Sequence, residues 1–356
     1  MGKLASWVED RYNLRPLIDF LKKKQVPMGR GWYWSYMGGV ALFLCAIQLA
    51  SGILLLMYYK ASAGEAYESI RFITSKVQFG WLIRNIHSWS ANLLLLVAFL
   101  HMFSVFFQRA YRRPRELTWV TGIILGLLGM FFGFSGYLLP WNELSFFATK
   151  VGTEIVGAIP LVGKAIMTVL RGGEDVTGAT LPRFFGIHVA ILPAVFVVFL
   201  TIHLVFIQLQ GMHEPRSWVQ TPPEKRRSMP FFPHFMLRDV LLWLIVLNIV
   251  AVFAVFFPWE LGSKADLFAP APANIRPEWY FVFMFQTLKF IPPHVLGIEG
   301  EVIGILGFMA GILVWLIVPF IDLKDDEKRY RMLIRIGIGV IVVVYIAAMT
   351  VWGYMV

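Results

Sequence analysis

The sequence predicts an all-α polytopic membrane protein with seven transmembrane helices, an N-terminal amphipathic surface helix and two long outer-side loops. Three observations predict it. First, 58% of the 356 residues are hydrophobic and 15% charged, with a mean hydropathy of +0.67. Soluble domains carry about 25% charged residues. Second, seven stretches, about 33–58, 81–107, 118–139, 186–209, 237–257, 302–322 and 333–355, match the roughly 20 apolar residues that a spanning helix needs. They are long and thinly charged, which speaks against strands. Third, Lys and Arg are distributed unevenly between the two sides.

The elements follow in order. Residues 1–32 open with "MGKLASWVEDRYNLRPLIDFLKKK", a charged amphipathic segment. It lacks the apolar core of a cleavable signal and is expected to lie on the membrane surface. Residues 33–210 hold four spans, 211–236 form a connection, and 237–356 hold three more spans. Alternating the spans places the N-terminal segment and the 108–117, 210–236 and 323–332 connections on one side. Counted with Arg238 and Arg335, that side carries 21 of the 32 basic residues. The positive-inside rule makes it cytoplasmic and puts the C-terminus outside. The net charge of +10 is then a rim facing anionic lipid and requires no nucleic acid. The outer side holds two long connections, 140–185 and 258–301, and loops of that length are usually functional. A single cysteine, Cys45, excludes an intrachain disulfide and any CxxCH attachment.

Ionisable rings inside spans point to function. His87 and His101 stand 14 apart in the second span, and His188 and His203 stand 15 apart in the fourth. At about 100° per residue, 14 steps fall roughly 40° short of four turns and 15 overshoot by roughly 60°. Each pair therefore sits near one face. The two spans run in the same direction, so His87 is level with His188 near the outer surface, and His101 with His203 further in. Facing imidazoles at two depths suit two six-coordinate haems about 21 Å apart along the normal, and such ligation favours electron transfer. A hydrogen-bonded core histidine or a proton relay competes for one pair, but not for two at matching depths. Gly38 and Gly52 in the first span and Gly122 and Gly136 in the third repeat the spacing of 14. Glycine admits a flat ring against a helix backbone, although it is also a common packing residue in membranes. Arg84 and Arg115 are candidates for haem propionates, and Arg115 equally for an inner-side anchor.

The stretches "GWLIRNIHSWSANLLLLVAFLH", "RRPRELTWVTG", "GYLLPWNE" and "LPRFFGIHV" resemble the four-helix, dihaem part of cytochrome b, the core of bc-type complexes. "RPEWYFVFMFQTLKFIP" carries the Pro-Glu-Trp-Tyr motif of the quinol-oxidation site, here Pro277, Glu278, Trp279 and Tyr280. The resemblance covers nearly the whole chain and mixes two branches. The spacing of 15 and the absence of an eighth span resemble the plastid and Gram-positive branch, whose members usually split the spans between two polypeptides. "PFFPHFMLRDVL" is closer to the respiratory branch.

The resemblance implies quinol oxidation at the outer side, with Glu278 as proton acceptor, Tyr280 as hydrogen-bond partner and Ala148 narrowing access where respiratory relatives have glycine. Glu278 has a competing role as a carboxylate paired with Arg276, and Tyr280 as an interfacial anchor. One electron goes to a Rieske-type iron–sulfur protein, and the other passes through two non-covalent b haems to a quinone-reduction site near Gln208, His213, Arg238 and Asp239. The implied partners are that protein, a c-type cytochrome, the membrane quinone and the bilayer, in a homodimeric complex of a prokaryotic cytoplasmic membrane that translocates protons. Tyr36 stands where one branch has a haem-tethering cysteine, and Cys45 lies about 13 Å deeper, so no covalent haem is expected on this chain. Two rivals are a dihaem anchor of a dehydrogenase or hydrogenase, which needs no Pro-Glu-Trp-Tyr loop, and a secondary transporter with histidine relays.

Overall fold

The computed structural model describes residues 3–272, 275–322 and 329–356. Most of the expected 323–332 connection therefore lies outside the described residues. Seven helices are long and apolar enough to cross a membrane: Trp32–Leu56, Gly80–Gln108, Glu116–Tyr137, Thr180–Gln210, Phe231–Phe256, Gly300–Ile321 and Arg329–Met355. Each coincides with an expected span to within a few residues. Their flanks are rich in exposed Leu, Ile and Val, such as Leu241, Leu244, Ile245 and Val252. That is the surface expected of helices whose solvent is lipid.

Between the spans the chain is more helical than the sequence reading. The N-terminal segment forms two helices, α1 (Lys3–Tyr12) and α2 (Arg15–Lys23). The first span is α3 (Met37–Leu56), preceded by a 3-10 turn, Trp32–Tyr36. A short α4 (Ala66–Ser75) leads to the second span, α5 (Gly80–Gln108), and the third is α6 (Glu116–Tyr137). The 140–185 connection folds into α7 (Glu143–Gly157), α8 (Gly163–Arg171) and the start of α9 (Thr180–Gly186). The Asn142 side chain caps α7 by accepting from the Ser145 amide, and Ser145 Oγ accepts from the Asn142 amide in return. The fourth span continues from α9 into α10 (Leu192–Gln210). A short α11 (Arg216–Val219) precedes the fifth span, α12 (Met236–Phe256). Within the 258–301 connection lies α13 (Trp279–Phe290), followed by the last two spans, α14 (Gly300–Ile321) and α15 (Arg329–Met355).

The packing order places the histidines. α3 packs chiefly on α5, and α6 on α10; α12 leans on α5 and α3, α14 on α6, and α13 on α15. On the outer side a cluster of Leu138, Trp141, Phe146, Phe147, Leu181 and Phe184 closes over the bundle. On the inner side two ties join the halves of the chain. Strand β1 (Gln25–Pro27) pairs antiparallel with β2 (Ser228–Pro230). Asp322 accepts from Arg109 at 2.6 and 2.9 Å and from the Tyr111 hydroxyl at 2.8 Å.

Candidate functional site

The four histidines meet as two pairs. The rings of His87 and His188 have centroids 6.5 Å apart. His101 faces His203 at the second depth, within electrostatic reach. Metal–imidazole bonds run near 2 Å, so one metal between two rings needs ring centres roughly 6 Å apart. The outer pair already has that opening.

The fourth span reaches this alignment by a local departure from the α-helix. Residues Ile187–Ile191 form a π turn, with the Leu192 amide donating to the Ile187 carbonyl. A π turn takes up one extra residue. It thereby absorbs the additional step in the 15-residue spacing, and the roughly 60° overshoot disappears. The turn sits immediately before Pro193, which has no amide hydrogen to give to the preceding turn.

All four glycines singled out by spacing lie against the histidines. A Cβ on Gly136 would stand 2.7 Å from Cε1 of His188, and one on Gly122 3.2 Å from Cε1 of His203. The corresponding distances are 3.4 Å from Gly52 to His87 and 3.5 Å from Gly38 to His101. The flat ring that each admits is an imidazole edge. Three of these glycines follow a hydroxyl residue. Ser51 Oγ lies 2.9 Å from His87 Nδ1, Thr121 Oγ1 3.0 Å from His203 Nδ1, and Ser135 Oγ 3.0 Å from His188 Nδ1. Each hydroxyl donates its own hydrogen to a carbonyl of its helix, at Ile47, Leu117 and Phe132. Its oxygen is then left to accept from the ring. Nδ1 therefore carries the proton, and Nε2 offers a bare lone pair, which is the tautomer a metal ligand needs. The buried Nδ1 of His101 has no such partner. This donor set fits bis-imidazole haem binding.

Both arginines reach backbone carbonyls. Arg84 donates to the carbonyls of Trp259, at 2.6 Å, and Glu260, and so anchors the 258–301 connection to α5. Arg115 donates to the carbonyls of Gln210 and Met212, at the inner end of the fourth span. That is the anchoring role the sequence allowed it.

At the outer side Pro277 and Glu278 lead into α13, whose N-cap is Glu278. The Glu278 carboxyl makes no ion pair among the described residues. Burial pushes it up to about 7. Tyr137, Tyr280 and Tyr354 are its electrostatic neighbours. Arg276, its expected competitor for pairing, donates instead to the Tyr354 carbonyl. Trp279 donates to Asn92 Oδ1 at 2.9 Å, which fixes α13 to α5. Tyr280 is buried, and burial raises its hydroxyl above the usual phenol range. That hydroxyl lies directly on Gly133, where any Cβ would overlap it. Gly133 is thus a site residue that sequence reasoning left among ordinary packing glycines; only its contact across the bundle reveals it. Ala148 is half-buried on α7, beside the Phe146–Phe147 cluster on which Phe134 packs. Phe134 in turn meets Phe281 of α13.

At the inner side the four expected residues have the following partners. Asp239 lies on the backbone of Gly39, with Oδ1 buried and unpartnered. Tyr36, whose hydroxyl is buried beside the Arg238 guanidinium, is an electrostatic neighbour of both Arg238 and Asp239. Gln208 accepts from Lys24 at 2.8 Å. His213 is buried against Arg115, pushed down to about 4 by desolvation and by that cation. Lys24 is therefore a polar group of the inner face that the sequence motifs do not mark. Cys45 lies on α3 between Gly38 and Gly52 as a free thiol.

The fold and this geometry define a polytopic membrane protein with two facing imidazole pairs at two depths. A family model described as cytochrome b/b6/petB matches residues 22–211, and one described as cytochrome b (C-terminal)/b6/petD matches residues 264–356. The chain is 45% identical over 344 residues to a cytochrome bc complex cytochrome b subunit of Chlorobaculum thiosulfatiphilum, covering 96% of this chain and 79% of that one. It is 40% identical over 215 residues to cytochrome b6 of a Synechococcus species, covering 60% of this chain and all of that one. A solved structure named hyperthermophilic respiratory Complex III superposes with a TM-score of 0.87 at 30% identity, covering 99% of this chain and 91% of that one. The chain belongs to the cytochrome b/b6 family, with its N- and C-terminal parts in one polypeptide.

Proposed function

We propose that this protein is the cytochrome b subunit of a bc-type complex and oxidises quinol at its outer side. The observation that carries the reading is the pair of stacked imidazole sites, three of whose four rings have their tautomer fixed by a hydroxyl. His87 and His188 would hold the outer haem b, and His101 and His203 the inner one. Bound there, the haems supply one-electron carriage across the bilayer, and moving one charge through 100 mV corresponds to about 2.3 kcal/mol.

The rest is the work of side chains. Quinol enters from the bilayer between the 140–185 connection and the Pro277–Tyr280 segment. Its oxidation releases two protons and two electrons. Glu278, raised to about 7, is poised to accept a proton near neutral pH. Tyr280 and Tyr137, electrostatic neighbours of Glu278, are hydroxyl partners for the substrate. One electron leaves to a Rieske-type iron–sulfur protein, which passes it to a c-type cytochrome. The other crosses to the inner side, where quinone takes up protons beside Asp239, with Arg238 close by. The complex is a homodimer in a prokaryotic cytoplasmic membrane, with the N-terminus cytoplasmic, and its net effect is proton translocation. A reduced-minus-oxidised spectrum of the purified protein tests the core of this reading. Two b-type components are expected, and their absence would sink it.

A further inference from the structure

The four imidazoles are not equivalent. His87, His188 and His203 each face a hydroxyl at 2.9–3.0 Å. The carbonyls of Phe132 and Thr118 add a second acceptor for His188 and His203. His101 alone has a buried Nδ1 with no partner. That ring turns Cε1 and Nε2, not Nδ1, to its facing glycine Gly38, and the sequence differs at the same place. The hydroxyl residue always stands immediately before the facing glycine, as Ser51-Gly52, Thr121-Gly122 and Ser135-Gly136, but the fourth pair is Met37-Gly38. Met37 precedes Ser51 by 14 residues on α3, just as Gly38 precedes Gly52. It therefore occupies the register of the missing hydroxyl.

A hydrogen bond accepted from the far nitrogen of a ligating imidazole makes that ring a stronger donor to its metal. A stronger donor favours the oxidised iron and lowers its potential. We infer that Met37 is a potential-tuning position: by withholding a hydroxyl from His101, it leaves the inner iron with one weaker ligand than the outer iron has. This rests on the reading that the imidazole pairs hold haem. Ser51, Thr121, Ser135 and Met37 are positioning residues that act through the histidines.

Redox titration of the purified complex in the b-type absorbance band tests it, with the two components assigned through His188 and His203 variants. Met37→Ser should lower the potential of the inner component and leave the outer one in place. The expected change in its reduction equilibrium is several-fold, where tenfold corresponds to about 59 mV for one electron. Met37→Leu, of similar bulk and without a hydroxyl, should leave both components unmoved. Ser135→Ala should raise the outer component alone. A stationary inner component in Met37→Ser, or an equal shift in Met37→Leu, would overturn the inference. If Met37→Ser loses its inner haem, Ser51→Ala decides: a raised outer component supports the inference, and an unmoved one ends it. A wild-type preparation lacking two b-type components would instead overturn the haem assignment.

Discussion

Glu278 owes its position to burial rather than to a partner, and its behaviour with pH follows. A carboxyl raised to about 7 is mostly protonated below that pH and gains the charge of a base above it. Quinol oxidation should therefore rise with pH through about 7. Glu278→Gln keeps the shape and cannot ionise, so it should lower turnover by roughly 10²-fold, the small end of general-base effects, and flatten this rise while both haems remain. An unchanged pH profile of quinol-driven cytochrome reduction would leave Glu278 a structural role only. The histidines make a second residue-scale prediction. His188→Leu should empty the outer site alone and His203→Leu the inner one alone, read as loss of one of two components in the difference spectrum. Two bis-histidine signals surviving in both variants would refute the pairing.

Among the elements, α6 shows how much a helix can be asked to leave out. It carries five glycines from Gly122 to Gly136, and they are not alike. Gly136 and Gly122 stand against imidazoles, Gly133 against the Tyr280 hydroxyl, and Gly126 meets nothing within 4 Å. Gly136→Ala should eject His188 from its seat and remove the outer haem. Gly126→Ala should be silent, or stabilising by up to about 1 kcal/mol through helix propensity. Haem content per polypeptide distinguishes them. The imidazole glycines were legible in the sequence because both sets repeat at the histidine spacing. Gly133 was not, because its partner lies 147 positions away on α13 and no local pattern announces it. The π turn at Ile187–Ile191 was hidden for a related reason. It follows from a backbone compromise next to Pro193 and leaves only a spacing one residue too long. The seven spans were plain from hydropathy, which membrane solvation enforces along every turn. The helices inside the outer connections were not, because each is short and held by contacts such as the Asn142–Ser145 cap and the Leu138–Phe184 cluster.

For the whole molecule, the uneven spread of Lys and Arg predicts the orientation. A variant with Cys45→Ala and a single new cysteine reports it. Leu161, fully exposed in the 140–185 connection, should as Leu161→Cys react with an impermeant maleimide from outside intact cells. Lys225→Cys lies on the exposed 211–236 connection and should react only after lysis. The reverse pattern would invert the topology. The inner rim also closes the bundle through Asp322, whose three hydrogen bonds reach Arg109 and Tyr111. The pair is largely shielded, with 12% and 27% of its side chains exposed. Asp322→Ala should therefore cost on the order of 2 kcal/mol, less than a fully buried pair would, and lower the thermal midpoint of the detergent-solubilised complex.

The ladder between Gln25–Pro27 and Ser228–Pro230 has a genetic meaning. It joins residues on either side of the exposed Pro222–Lys225 stretch, while α12 and α14 grip the first four spans inside the bilayer. Covalent continuity between residues 224 and 225 holds nothing that these contacts do not already hold. Two open reading frames encoding residues 1–224 and 225–356 should therefore yield one particle when expressed together. The number of genes that specify this fold is then a matter of transcription and start codons, to which the folded object is indifferent.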